Sequence, residues 1–203
     1  MILLTCAVRN ELAFWKARKD VELLVTGVGP VEAACSISHA LAQQRYRLLV
    51  NAGIGGAFDG AAQIGDGVVV AHDALELDLE SGNPLELPNS ETVVDRAYSD
   101  PKLVAAVQGL GFAVLAGITV TRVTASEETA RRLAADGART ESMEGFAALR
   151  SAERAGIPAI ELRGIANRVG ARERSDWNFA AGTRGLERIL EAFFDVVDSA
   201  ENA

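Results

Sequence analysis

The stretch Glu22–Gly56 reads ELLVTGVGPVEAACSISHALAQQRYRLLVNAGIGG. Its opening apolar run, Glu22–Thr26, predicts a strand that ends in Thr26-Gly27-Val28-Gly29-Pro30. A helix then starts at Pro30, because proline at the first helical position has no useful N–H to lose. Ala33, Ala34, Ile37 and Leu41 follow at helical spacing. Arg47–Asn51 predicts a further strand, closed by the glycine turn Gly53-Ile54-Gly55-Gly56. Strand, helix and strand in succession are the unit of an α/β sheet.

The same alternation extends outward. Ile2–Ala7 predicts a buried strand before this unit, and Gly67–Ala74 one after it. Pro84–Asp100 reads as an exposed connection, and Val114–Val123 as a strand. Ser126 caps a helix with Glu127 and Glu128 in its first turn and Gly137 just past its end. Glu144–Ala155 is helical and stopped by Gly156, Ala159–Gly164 is a strand, Ala166–Asp176 a polar loop, and Leu186–Val197 an amphipathic helix. There is no repeat or linker, so residues 1–203 form a single α/β domain around a mostly parallel or mixed sheet.

Composition narrows the function. A net charge of −8, with no basic stripe, argues against a nucleic-acid partner. Two cysteines, Cys6 and Cys35, make no disulfide framework, which suits a reducing cytoplasm. Met1–Val8 is too short for a signal segment, and no apolar run approaches the roughly 20 residues of a membrane span. His39 and His72 form no ligand motif with the cysteines, so no metal is expected and both histidines read as structural.

Four places carry candidate chemistry, each with a plainer reading beside it. Gly27-Val28-Gly29 and Gly53-Ile54-Gly55-Gly56 let backbone N–H groups approach a ligand, or serve only as tight turns. Gly27-x-Gly29 makes a poor dinucleotide fingerprint, because Glu32 stands at the third glycine position and no ribose-binding acid follows. In Glu141-Ser142-Met143-Glu144-Gly145, the carboxylate of Glu144 suits a pair of vicinal hydroxyls, or is a first-turn acid favoured by the helix dipole. Arg163-Gly164-Ile165-Ala166-Asn167 ends a strand where α/β ligands gather, or makes an asparagine turn. Glu11, just after the first strand, reaches the same sheet edge or is simply exposed.

In this order and spacing, together with Gly65-Asp66, these segments resemble the nucleoside phosphorylase and nucleosidase superfamily. The resemblance runs from Ile2 to the C-terminal helix and is most specific at the Met-Glu-Gly segment and at Asn167. It implies a three-layer α/β/α domain with a central mixed sheet. It also implies that Glu11 orients and deprotonates the attacking water, that Met143 packs on a ribose, and that Glu144 holds the ribose hydroxyls. Gly53 and Gly56 would face the ligand, and Val123 would line the base pocket. The expected partners are a nucleoside substrate, water and further copies of the chain in a homo-oligomer, with no cofactor.

Asn167 stands where the adenine-specific members carry an aspartate. An amide offers N–H donors to the two acceptors, O6 and N7, of a 6-oxopurine. The substitution therefore favours a hypoxanthine-type leaving group. An acidic 5′ substituent would need a cation, and Arg168 and Arg172 are the nearest basic residues. A phosphorylase and a non-catalytic nucleoside-binding domain remain the competing readings. The missing arginine beside the Gly27 and Gly53 turns weighs against the first, and the joint presence of Glu11, Glu144 and Asn167 against the second.

Overall fold

The computed structural model describes residues 1–77, 87–88, 93–171 and 177–201. Its strands are β1 (Ile2–Cys6), β2 (Val21–Val25), β3 (Leu48–Ala57), β4 (Gly67–Leu75), β5 (Arg96–Tyr98), β6 (Ala113–Thr119), β7 (Thr140–Ser142) and β8 (Ala159–Arg168). Its helices are α1 (Pro30–Gln43), α2 (Pro101–Gly109), α3 (Glu127–Ala135), α4 (Gly145–Ala155) and α5 (Phe179–Glu201), with a short 3₁₀ turn at Arg9–Leu12.

The sheet is mixed, as expected. β1 runs parallel to β2 and β3, and β3 runs parallel to β8 but antiparallel to β7. β4 pairs with β6 in parallel and with β5 and β8 antiparallel, and β6 runs parallel to β7. The chain of pairings β3–β7–β6–β4–β8–β3 therefore closes on itself. The period of two along β1 and β3 sets the layers. Leu4 and Val50 point toward Leu186, Ile189, Phe193 and Phe194 of α5, while Leu3 and Leu49 point toward Ile37 of α1 and Leu149 of α4. Each such fully buried side chain contributes roughly 1.5–3 kcal/mol.

The helix starts follow their caps. Ser126 Oγ accepts the Thr129 N–H at 3.1 Å, and Gly156 ends α4 in the left-handed conformation at φ 69°. On α1, Ala33 and Ile37 are buried and His39 is exposed. Cys6 is buried and Cys35 exposed, both as thiols.

Several boundaries differ from the sequence reading. Gly53-Ile54-Gly55-Gly56 is not a turn: β3 runs through it, paired with β8 from Leu49↔Ala159 to Ala57↔Arg168. These glycines leave room instead. A Cβ on Gly55 would lie 2.9 Å from the Glu141 carbonyl oxygen, and one on Gly56 2.9 Å from Asn167 Nδ2. β8 likewise continues past Gly164 into the supposed polar loop, because β3 still offers it a ladder. β6 stops at Thr119, short of Val123. α5 begins at Phe179, well before Leu186, and its early turns lie close against Gly164, where a Cβ would come within 2.7 Å of the Leu186 nitrogen. The Pro84–Asp100 connection lies partly outside the described residues, yet it contains β5 and buried Ser99. α2 follows at once, with the Asp100 carboxylate accepting from the Lys102 and Leu103 N–H groups and Pro101 in the first turn.

Candidate active site

A cleft opens where β1, β3, β7 and β8 end and is lined by Glu11, Gly56, Val123, Met143, Glu144 and Asn167, among others. Glu11 reaches it from the 3₁₀ turn after β1, anchored by buried Leu12. Glu11 is 4% exposed, and both of its carboxylate oxygens are bonded to backbone. Its Oε2 accepts from the Ala7 and Val8 N–H groups at 3.1 Å each, and its Oε1 from the Ile54 N–H at 2.9 Å. Burial pushes its pKa above the ordinary 4.5, against the pull of the Ile54 and Val8 N–H groups and of Arg163, while Glu144 pushes it higher. A buried carboxylate whose hold on a proton is strengthened suits a general base.

Glu144 does not sit inside the helix. It occupies the N-cap position of α4 with φ −128°, and its side chain makes no cap bond. Its Oε1 instead accepts the Gly29 N–H at 2.8 Å. That N–H belongs to the Gly27-Val28-Gly29 turn, where φ of 87° and 95° at the two glycines requires residues without a Cβ. The first glycine segment and the Met-Glu-Gly segment are thereby fastened together.

Asn167 lies near the far end of β8, opposite Gly56, and one N–H of its amide donates to the Arg168 carbonyl oxygen at 2.8 Å. Met143 and Val123 border the cleft, Val123 at its exposed rim. Gly53 is placed differently from expectation. It does not face the open cleft but backs onto side chains, where a Cβ would lie 2.5 Å from Arg163 Nη1 and 2.9 Å from Glu11 Oε1. Arg168 also departs from expectation. Its guanidinium pairs with Glu127, and more distantly with Asp59, in the exposed region outside the cleft. Arg172 lies outside the described residues.

Sequence reasoning missed three features. Arg163, 1% exposed, donates from Nε to Glu161 Oε1 at 2.8 Å and from Nη2 to Ser142 Oγ at 3.3 Å. Burial alone would lower its pKa, but Glu161, Glu144 and Glu11 outweigh that and raise it, so the cation is permanent. Glu141, paired in register with Gly56, lines the cleft near Asn167, and its Oε1 accepts the Thr124 N–H at 3.2 Å. Trp177 and Phe179 supply an aromatic wall. The one available signal was Glu161 and Arg163 at alternate positions of an otherwise apolar strand.

The family model described as the phosphorylase superfamily matches residues 7–199. The chain belongs to that superfamily. Among curated relatives, it is 35% identical over 190 residues to a futalosine hydrolase of Streptomyces coelicolor, covering 88% of this chain and 80% of that protein. A futalosine hydrolase of Thermus thermophilus is 31% identical over 190 residues, covering 87% and 84%. These relatives place the chain in the futalosine hydrolase family of the superfamily.

Solved structures with the same fold include the 5′-methylthioadenosine/S-adenosylhomocysteine nucleosidase of Neisseria meningitidis in complex with methylthio-immucillin-A. That match has a TM-score of 0.80 at 15% identity and covers 95% of this chain and 97% of the other. The Helicobacter pylori nucleosidase with butyl-thio-DADMe-Immucillin-A matches with a TM-score of 0.83 at 14% identity, covering 96% and 97%. In this chain Glu141 and Asn167 stand on either side of Gly56.

Proposed function

We propose that this chain hydrolyses the N-glycosidic bond of futalosine, giving hypoxanthine and dehypoxanthine futalosine on a route to menaquinone. The observation that carries the reading is the pair Asn167 and Glu141 beside Gly56, with Glu11 further back along β3 at Ile54. Hypoxanthine presents acceptors at O6 and N7 and a donor at N1–H. The second amide hydrogen of Asn167 suits the acceptor edge, and the Glu141 carboxylate suits N1–H. Adenine keeps the N7 acceptor but reverses position 6 to a donor and N1 to an acceptor. The futalosine hydrolases among the relatives support the same substrate.

The reaction follows from the placement of charge. Water held by Glu11 attacks C1′ and gives its proton to the carboxylate as the C1′–N9 bond breaks. The bonding electrons pass to the purine, which leaves as its anion with an Asn167 N–H donated to its edge; a proton from solvent then gives hypoxanthine, and Glu11 returns its own to solvent. Positive charge builds on the sugar, as in other glycoside cleavages, and the Glu144 carboxylate faces it while holding the ribose hydroxyls. Among the described residues lining the cleft none is arginine or lysine, so a phosphate nucleophile would find no cation there. The reading carries with it a cytoplasmic enzyme that needs no cofactor and works as a homo-oligomer.

The deciding measurement is kcat/KM for futalosine and for its 6-amino analogue, with and without phosphate. The wild type prefers futalosine by roughly 5- to 150-fold, the worth of one mismatched buried polar pair, and ignores phosphate. Asn167→Asp shifts the preference toward the amino compound and loses activity as rising pH ionises the new carboxyl. A wild type that prefers the amino compound, or that requires phosphate, overturns the reading.

Glu144→Gln gives a second expectation. The neutral side chain weakens charge-assisted bonds to the vicinal hydroxyls, so discrimination against 2′-deoxynucleosides falls about tenfold. An unchanged ribo-to-deoxyribo ratio of kcat/KM removes Glu144 from sugar recognition.

A further inference from the structure

Beneath the cleft lie two carboxyl groups that the mechanism above does not use. Asp73 on β4 and Glu161 on β8 are each 0% exposed. Asp73 Oδ1 accepts the Thr119 hydroxyl at 2.7 Å, and Thr119 Oγ1 in turn accepts the Phe146 N–H at 2.8 Å. The Thr119 proton is therefore directed at Asp73, which fixes Oδ1 as an acceptor. On the other side, Glu161 Oε1 accepts from Arg163 Nε.

One oxygen of each group is left over, Asp73 Oδ2 and Glu161 Oε2, and both are buried with no N–H or O–H aimed at them. Both face the start of α4, where a Cβ on Gly145 would lie 2.6 Å from Glu161 Oε2 and would also collide with Asp73 Oδ2. The two left-over oxygens close on the same point, so a proton on either one would supply the hydrogen bond that both lack. Two carboxylates cannot make such a bond, whereas a carboxylic acid and a carboxylate can.

We propose that Asp73 and Glu161 share one proton and act as a single negative charge that seats Arg163 against Glu11 and Glu144. The proton resides on Asp73 Oδ2, because Arg163 donates directly to Glu161 and favours its ionised form, while the bond that Asp73 accepts comes from the neutral Thr119 hydroxyl. The charged groups around the pair are Arg163 on β8 and Glu144 at the head of α4; β6 contributes Thr119, β7 contributes Ser142, and the chain after β5 contributes Ser99, whose hydroxyl accepts the Glu161 N–H. Burial, and then the neighbouring Glu161 charge, hold the Asp73 pKa well above the usual carboxylate range, in keeping with this arrangement.

A shared proton makes Asp73 and Glu161 positioning residues with an unusual mutational signature. In D73N the amide N–H replaces the acid proton and the charge stays on Glu161. In E161Q the amide donates to Asp73, which gives up its proton, and the charge moves there. Only the double variant D73N/E161Q removes the charge. Its loss favours ionisation of Glu11 and moves the acid limb of the kcat–pH profile down by about one unit. Each single variant leaves that limb in place, and D73N keeps kcat within about threefold.

The kinetic arm rests on the role of Glu11 in the proposed function. A second arm does not: carbon NMR of protein labelled at the Asp and Glu carboxyl carbons. One carboxyl signal of the wild type stays in the protonated range through neutral pH and vanishes in D73N. If no such signal exists, or if D73N alone moves the acid limb as far as the double variant, the shared proton is refuted. A protonated signal in a protein inactive on futalosine refutes the substrate and leaves the pair intact. If E161Q does not fold, the labelled wild type and D73N decide alone.

Discussion

Glu11→Gln lowers kcat by about 10²–10⁴-fold, the usual worth of a general base, while KM stays near the wild-type value. The loss falls on kcat because in the proposed reaction Glu11 touches the attacking water and not the nucleoside, its other hydrogen bonds being to backbone at Ala7, Val8 and Ile54. The same residue sets the pH response. Its pKa is raised above 4.5 by burial, so turnover in the wild type falls as pH drops through that raised value, and the glutamine variant shows no such limb. The folded protein holds the Glu11 proton more tightly than the unfolded chain does. Ionising Glu11 as pH rises from 4.5 through the raised value therefore costs stability, and activity is obtained at that expense. Steady-state rates across pH for both proteins check this, and a glutamine variant within threefold of wild type removes Glu11 from the mechanism.

Arg163→Met destabilises the fold by about 3–5 kcal/mol, the cost of leaving buried charges without their partner. For a chain of this size that is roughly 6–20 °C in melting temperature. Arg163 lies against Glu161 and Glu11 in the interior and lowers the pKa of both, so its removal raises both in the folded state. The deficit is then largest at neutral pH and shrinks as acid protonates those groups. Thermal denaturation at neutral and acidic pH reads both effects. A methionine variant as stable as the wild type at neutral pH would mean that the carboxyl groups around position 163 carry no charge when folded.

The strand–helix–strand unit from Glu22 to Asn51 was legible because its signals are local: apolar runs, helical spacing at Ala33 and Ile37, and proline in the first turn. The glycines after it misled for the same reason. Within the sequence, Gly53-Ile54-Gly55-Gly56 offers only turn chemistry, whereas in the fold the missing Cβ atoms make room for Glu11, Arg163 and Asn167 from distant parts of the chain. Glu161 and Arg163 stayed hidden because charge in a strand ordinarily marks a solvated face, and only tertiary packing turns it inward. Asp100 and Pro101 carry a local start signal for α2 that the sequence reading passed over, and the polar run before them masked β5. The roles expected of Glu11, Met143, Glu144 and Asn167 came from resemblance. Physical reasoning from the sequence had no way to bring Glu144 to the Gly29 N–H.

β3 gives the cleft a fixed scale. Gly53, where Glu11 and Arg163 crowd in, and Gly56, flanked by Glu141 and Asn167, are three residues apart on one strand held on both sides by neighbours. At about 3.3 Å per residue, that places the proposed water-handling and base-reading stations roughly 10 Å from each other. At such a separation, substitutions act independently of one another. The strand thus works as a ruler with interchangeable ends: preference for the departing base can drift through positions 141 and 167 while the hydrolytic end keeps its geometry. One backbone can in this way serve nucleosides with different bases without rebuilding the step that breaks the bond.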